Sequence, residues 1–300
     1  MTATAILLIT ISVFAHAGWN LLSKHQPSLA FFLLAEATSM LILAPTLWFN
    51  RSLLAWVPPQ VWWLVLASGF FHASYFTMLA GAYRHGDMSL AYPMLRSLPV
   101  LMITGISLLL GHGDKFTPQS LVGMMAIVVG CLLLPIKHFR DIRWQNYLAL
   151  CCLFAVIAAM GTTGYTMTDD NAFRLIRMGL PWLNPIQRTL FYVSLQTFSA
   201  GLWIMVLVLF QPKEQQRLRL LWQENRWQTM ATGPVITSAY GLVLAAMAYV
   251  NHVGYVAAFR QLSIPLGAVL GMALLKEPRY GPKLLGIGTV SAGLILVALF

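Results

Sequence analysis

The sequence predicts an all-α integral membrane protein of about ten transmembrane helices, arranged as two inverted five-helix repeats. Three observations lead there. Hydrophobic residues make up 58 % of the 300 residues and charged ones 9 %, against roughly a quarter charged in an ordinary soluble domain. With a mean hydropathy of +0.71, no soluble core could hide this much apolar surface, so the surrounding solvent must be lipid. Apolar runs of about 20 residues, the length that crosses a bilayer, follow one another along the whole chain. Finally, the second half echoes the first.

The expected spans are 3–22, 28–49, 60–83, 88–110, 117–136, 147–167, 187–210, 229–250, 255–275 and 282–300. The first begins "MTATAILLITISVFAHAGWNLLSK". It lacks a basic leader and its apolar run exceeds that of a signal peptide, so it is expected to be retained. The gaps are short and polar or rich in Pro and Gly: "NRSLLAWVPPQ", "GHGDKFTP", "KHFRDIRWQ", "KEPRYGP". The longest, "QPKEQQRLRLLWQENRWQ", reads as an interfacial amphipathic helix. Asp169 and Asp170 with Arg174 are expected to end the sixth span. The two "HGD" triplets, His85–Asp87 and His112–Asp114, flank the fourth span and read as turns, with Asp87 as a helix cap.

The internal repeat divides the chain into 1–138 and 139–300. At a shift of 166, Ala80, Ala82, Tyr83, Ala91, Pro99 and Gly105 fall on Ala246, Ala248, Tyr249, Ala257, Pro265 and Gly271. At 163, Gly123 and Gly130 fall on Gly286 and Gly293, each pair seven apart on one helix face, as close helix packing requires. At 160, Glu36 and Ser39 fall on Gln196 and Ser199. Five spans per half is an odd number, so the second half enters the membrane upside down, an architecture of secondary transporters with the site between the halves.

The net charge of +10 does not imply nucleic acid, because most basic residues lie in the short gaps. Alternate gaps, with the span ends beside them, hold twelve basic residues against five, which places both termini outside the cytoplasm. Cys131, Cys151 and Cys152 match no metal spacing and read as buried free thiols. No metal or cofactor is expected.

"HAGWNLLSK" (16–24), "AYRHGDMSLAYPMLRSLP" (82–99), "GYTMTDDNAFR" (164–174) and "LLKEPRYGPKLLGIGTVSAG" (274–293) make the chain resemble the EamA-type branch of the drug/metabolite transporter superfamily. The likeness spans nearly the whole chain. It departs in the first half, where Asp114 stands in the place of Glu277. The resemblance implies transport of small metabolites, often export of amino acids or related compounds, and leaves the substrate open.

Ionisable side chains at membrane depth are costly unless paired or facing a cavity, and they supply the candidate substrate-binding residues. Arg96 lies between Pro93 and Pro99, about 12 Å inside its span at 1.5 Å per residue. It either snorkels or lines a central cavity, facing Glu36 or an anionic substrate group that its guanidinium can fork onto. Arg260 is its partial echo. Glu36 has no basic neighbour on its own helix. It is neutral and hydrogen-bonded, paired across helices, or a proton carrier. His16, Trp19 and Asn20 with Ser23 and Lys24 form one stripe. His72 with Tyr75, Thr237 with Tyr240, and Thr162, Thr166 and Asp169 form others. Each stripe either lines a polar path or makes interhelical hydrogen bonds.

The function expected is secondary transport, as an exporter, of a small polar metabolite such as an amino acid or related anionic compound, by alternating access. The alternatives are a lipid-linked carrier flippase and an intramembrane enzyme, the latter disfavoured because no nucleophile–base or metal motif is present. Expected partners are membrane lipid, a small-molecule substrate and coupled protons, but not nucleic acid. The chain is expected as a monomer or homodimer, multi-pass in a bacterial inner membrane.

Overall fold

The structure, a computed structural model, describes residues 3–109, 117–140, 144–247 and 262–299, and these residues form helices and connecting turns. α1 (Ala3–His25), α2 (Leu29–Phe49), a 3-10 turn (Arg51–Trp56), α3 (Pro59–His85), α4 (Met88–Leu109) and α5 (Pro118–Leu133) come first. α6 (Trp144–Tyr147), α7 (Leu150–Gly179), α8 (Pro185–Leu209), α9 (Pro212–Glu224), α10 (Arg226–Met247), α11 (Ser263–Leu274) and α12 (Gly281–Leu299) follow. Among the described residues, α1, α2, α3, α7 and α8 are long and apolar enough to cross a membrane, while the apolar stretches of α4, α5, α11 and α12 are shorter. Leu7, Phe14, Leu41 and Val122 are more than half exposed. An outer surface of this kind belongs against lipid, and the chain is an integral, multi-pass membrane protein.

Local chemistry sets the helix starts. α3, α5, α8 and α9 each open on proline, whose missing N–H would have had no helical partner there. Ser28 caps α2 and Thr117 caps α5, and Asn184 with Gln187 forms a capping box on α8. α9 occupies the stretch read as an amphipathic helix.

Two expectations about helix ends fail. Asp169, Asp170 and Arg174 do not end a helix, because α7 runs 30 residues to Gly179. Asp169 is buried against neighbouring helices instead, and Arg174 is satisfied one turn away by Asn171 Oδ1 (2.7 Å). Nor does the Asp87 side chain cap α4, although its carbonyl accepts from Ala91 N (2.9 Å) at the N-cap position. The amides of Met88 and Ser89 donate to Glu277 Oε1 (2.6 Å) and Oε2 (2.8 Å), while Asp87 pairs with Lys283 (3.0 Å). A carboxylate from the other half of the chain thus satisfies the open amides of α4. Lys276 makes this possible: at φ 55 it closes α11 in a left-handed turn, with Glu277 N–H returning to Gly271 O. Arg260, His112–Asp114 and the start of the ninth expected span lie outside the described residues. Pro93 and Pro99 lie inside a continuous α4.

α5 and α12 pack backbone to backbone. A Cβ on Gly123 would stand 2.8 Å from Gly293 O, and one on Gly130 2.9 Å from Gly286 O. The seven-residue glycine spacing in both helices is what permits the approach. Beside this pair, α3 packs on α7 and α8, α10 on α1 and α2, α2 on α8, α4 on α7 and α11, and α1 on α11. Exchanging α1–α5 with α7, α8, α10, α11 and α12 in order maps this set of neighbours onto itself. Long helices alternate in direction, so one end of the bundle gathers Lys24, Arg84, Lys213, Arg217, Lys276 and Lys283; it is called the basic end below.

Candidate functional site

A cavity of about 70 Å³ lies between the helices, and seven of the nine expected site residues line it. α1 brings His16 and Trp19, α2 Glu36, α3 His72 and Tyr75, α4 Arg96, and α10 Tyr240. Asn20 is not among them. It turns to the basic end, where its Nδ2 donates to His16 O (2.8 Å) and its Oδ1 accepts from Tyr83 OH (2.7 Å). The α1 stripe is therefore divided, with His16 and Trp19 on the cavity and Asn20, Ser23 and Lys24 in the packing beneath it. Arg260 lies outside the described residues.

Arg96 is held over the Tyr92 ring, 5.6 Å from its centroid. Its Nε and Nη2 are buried and have no hydrogen-bond partner among the described residues. A guanidinium left so costs free energy, which an anion entering the cavity would recover through charge-assisted bonds. Glu36 is 5 % exposed and makes no ion pair among the described residues. The expected Arg96–Glu36 contact is not formed at ion-pair distance; the two face a common space. Around them stand aromatic rings. Phe32 stacks on Phe76 (4.5 Å between centroids), with Trp19 edge-on to both at 6.4 Å. Trp19 and Phe76 line the cavity, and Phe32 packs against both. His72 stacks on Tyr165 at 3.8 Å. One cation and one carboxyl thus share a wall that is largely aromatic. Among the described residues no cluster of His, Cys, Asp and Glu could hold a metal ion.

Sequence reasoning missed Gln196 and Thr197 on α8 and Tyr165 on α7, all of which line the cavity. Gln196 carried a signal, since it is the repeat counterpart of Glu36. Tyr165 carried a weaker one: it lies four residues before Asp169, on the same helix face.

A second, apolar cavity of about 330 Å³ opens between α2, α8 and α10, away from the basic end. It shares Val193 and Thr237 with the polar cavity, and Thr237 donates to Ser39 Oγ (2.9 Å) at the join. Gly241 lines it, with open space where a Cβ would stand.

The basic end is closed by charge. Lys24 Nζ donates to Tyr83 O and Gly86 O, both at 2.6 Å. Lys283, 3 % exposed, donates to Asp87, to Ser89 Oγ (3.0 Å) and to Pro278 O (3.1 Å). Glu214 accepts from Ala30 N (3.0 Å), Arg84 (3.3 Å) and Arg217 (2.7 Å). Glu277, Lys283 and Glu214 all reach across from the second half of the chain to the first.

Comparison with known proteins agrees with that resemblance over the first part of the chain. Residues 3–136 match the model of the EamA-like transporter family. No curated protein matches the chain. One solved crystal structure, described only as that of a protein, shares the fold at a TM-score of 0.57 and 14 % identity, over 100 % of this chain and 99 % of that one.

Proposed function

Starting from residues 3–136 as an EamA-like transporter sequence, we propose that the chain is a secondary transporter that exports a small polar metabolite across a bacterial inner membrane. The substrate is an amino acid or a related anionic compound. Two inverted five-helix halves, 1–138 and 139–300, alternate in exposing the central cavity to each side. The mapping of helix neighbours onto themselves when the halves are exchanged supports the repeat. The excess of positive charge at the basic end supports a cytoplasmic position for it. The conformation described here is then closed to the cytoplasm, with the apolar crevice as the route from the cavity to the other side.

One observation carries the reading. Arg96, with Nε and Nη2 free of hydrogen bonds among the described residues, and Glu36, with no ion pair among them, face one cavity lined by Trp19, Phe76, Tyr75 and Tyr165. In lipid, two such groups are retained where they meet a ligand or water. Arg96 takes the carboxylate or other anionic group and Glu36 the ammonium. A second reading, a lipid-linked substrate, draws on the apolar crevice, which would hold the chain of an amphiphile.

The test is a thermal-stability screen of purified wild type and Arg96→Gln against amino acids, phosphonate analogues, sugars, nucleosides and a lipid-linked sugar. A ligand at 100 times its Kd stabilises by about 2.7 kcal/mol. The proposal expects one anionic or zwitterionic class to stabilise the wild type and not the variant. Stabilisation by the lipid-linked sugar alone would favour the second reading, and equal shifts in both proteins would remove Arg96 from the site.

A further inference from the structure

We infer that Asp169 is a proton-binding site, built to hold a neutral carboxylic acid and connected to the central cavity through Ser68 and His72. Asp169 sits on α7 about ten residues before its end, roughly 15 Å into the helix at 1.5 Å per residue, and is 5 % exposed. Its two oxygens are treated unequally. Oδ1 accepts both the Ser68 hydroxyl from α3 and the Tyr192 hydroxyl from α8 (2.5 Å). Oδ2 is buried with no partner among the described residues.

This asymmetry fits the acid and not the anion. In a carboxylic acid one oxygen is a carbonyl with two lone pairs, and here two hydroxyls fill them. The other oxygen carries the proton and needs less. In a carboxylate the charge is shared, and a bare buried oxygen would hold half of it unsolvated. A compensating cation is also missing, since Asp169 makes no ion pair among the described residues. The groups that face it can be named by element. α3 presents Ser68 and His72. α8 presents Tyr192; one turn earlier Arg188 makes no ion pair with Asp169, its Nη2 donating to Leu183 O (2.8 Å) and its Nε buried without a hydrogen-bond partner among the described residues. α10 presents Tyr240, which is within electrostatic reach of Tyr192. On α7 itself, Tyr165 lies one turn before, Asp170 is exposed, and Arg174 is tied to Asn171. α4 packs against α7 nearer the cavity, where Arg96 faces Tyr165.

The connection to the cavity is short. His72 lines it, and its Nδ1 stands 3.5 Å from Ser68 Oγ and 3.2 Å from Ser68 O. The Ser68 hydroxyl can accept from His72 while donating to Asp169. In uptake, a cavity hydronium gives a proton to the relay and is left as water. The Ser68 proton passes to the carboxylate, the His72 Nδ1 proton replaces it on Ser68, and the cavity proton adds at His72 Nε2, leaving the ring neutral in its other tautomer; release runs the same steps backwards and returns the proton to Nδ1. A half-turn of the carboxyl then carries the new O–H to the unpartnered edge. Asp169 thereby gives the transport reading its coupling site. The inference rests on that reading for its purpose but not for its chemistry, which can be measured without any substrate.

The experiment is infrared difference spectroscopy of the purified protein in lipid, between acid and alkaline buffer. The expected result is a carboxylic C=O band that is lost in Asp169→Asn and kept in Glu36→Gln. Should Asp169→Asn fail to fold, Tyr192→Phe and Ser68→Ala decide the matter. Each leaves the carboxyl in place and removes one bond to its carbonyl oxygen, so each must shift the band upward in frequency. Identical difference spectra in wild type and Asp169→Asn would overturn the inference, as would a band unmoved by both hydroxyl deletions. A response to sodium at constant pH in place of protons would overturn it too. None of these outcomes depends on whether the stability screen finds a ligand.

Discussion

The two ends of the bundle are built from different chemistry. At the basic end, Glu277, Lys283 and Glu214 cross from one half to the other and end on backbone amides or opposite charges. At the opposite end, the space between α2, α8 and α10 is an apolar crevice running down to Val193 and Thr237. Directional, charge-assisted bonds hold one arrangement of the halves and release cooperatively once broken. An apolar crevice has no such partner to lose, and it can open or close by small movements of helices. The closed end is thus the one with discrete contacts to break, and the open end is the one with space to fill.

Five substitutions sharpen or break this contrast, and the first four are read as thermal unfolding midpoints in detergent converted to free energy. Glu277→Ala has the largest effect. It strands two buried amides at the start of α4 and removes two charge-assisted bonds, at a cost of about 3 kcal/mol; a loss below that for a surface cap, about 1 kcal/mol, would mean that water replaces it. Lys283→Met comes next, at about 1–2 kcal/mol, because it removes the buried partner of Asp87 but leaves that carboxylate partly exposed to water. Arg84→Ala, on a side chain 39 % exposed, costs less than about 1 kcal/mol. Gly241→Ala, in the crevice, costs nothing and gains up to about 1 kcal/mol of helix propensity. Gly241→Phe keeps the fold but fills the passage, and should abolish uptake or efflux of whichever solute the stability screen identifies. If Gly241→Ala destabilised as much as Lys283→Met, the crevice would be a packed interface and the contrast would fail.

The sequence made some of this legible and hid the rest, for physical reasons. Charge inside an apolar run is conspicuous, so Arg96, Glu36, His16 and His72 could be named, and helix periodicity grouped Trp19 with His16 and Tyr75 with His72. The glycines of α5 and α12 were readable from their seven-residue spacing. What periodicity does not contain is which helix stands opposite which. Asn20 lies on the same stripe as His16 but meets Tyr83, and nothing in α1 announces that. Asp169 was read in two ways, as a helix end with Asp170 and Arg174 and as one face with Thr162 and Thr166; the helix end fails because polar residues after an apolar run need not stop a helix, and the interhelical hydrogen bonds are the part that holds. Its true partners, Ser68 and Tyr192, are 101 and 23 residues away. The cap on α4 was misassigned to Asp87 for the same reason: the nearest carboxylate in sequence was not the nearest in space.

The central claim, that the cavity is closed at the basic end and reached from the other, is tested most directly by thiol labelling. The native thiols Cys131, Cys151 and Cys152 are buried, so an introduced cysteine reports alone. Thr237→Cys, at the join of crevice and cavity, is compared with Ser23→Cys, packed on the basic side, using a membrane-impermeant maleimide applied to sealed vesicles of each orientation. The account predicts that Thr237→Cys reacts from the side opposite the basic end only and Ser23→Cys from neither, until Glu277→Gln is added and Ser23→Cys becomes reactive from the basic side. Labelling of Thr237→Cys from the basic side in the otherwise unaltered protein would contradict it.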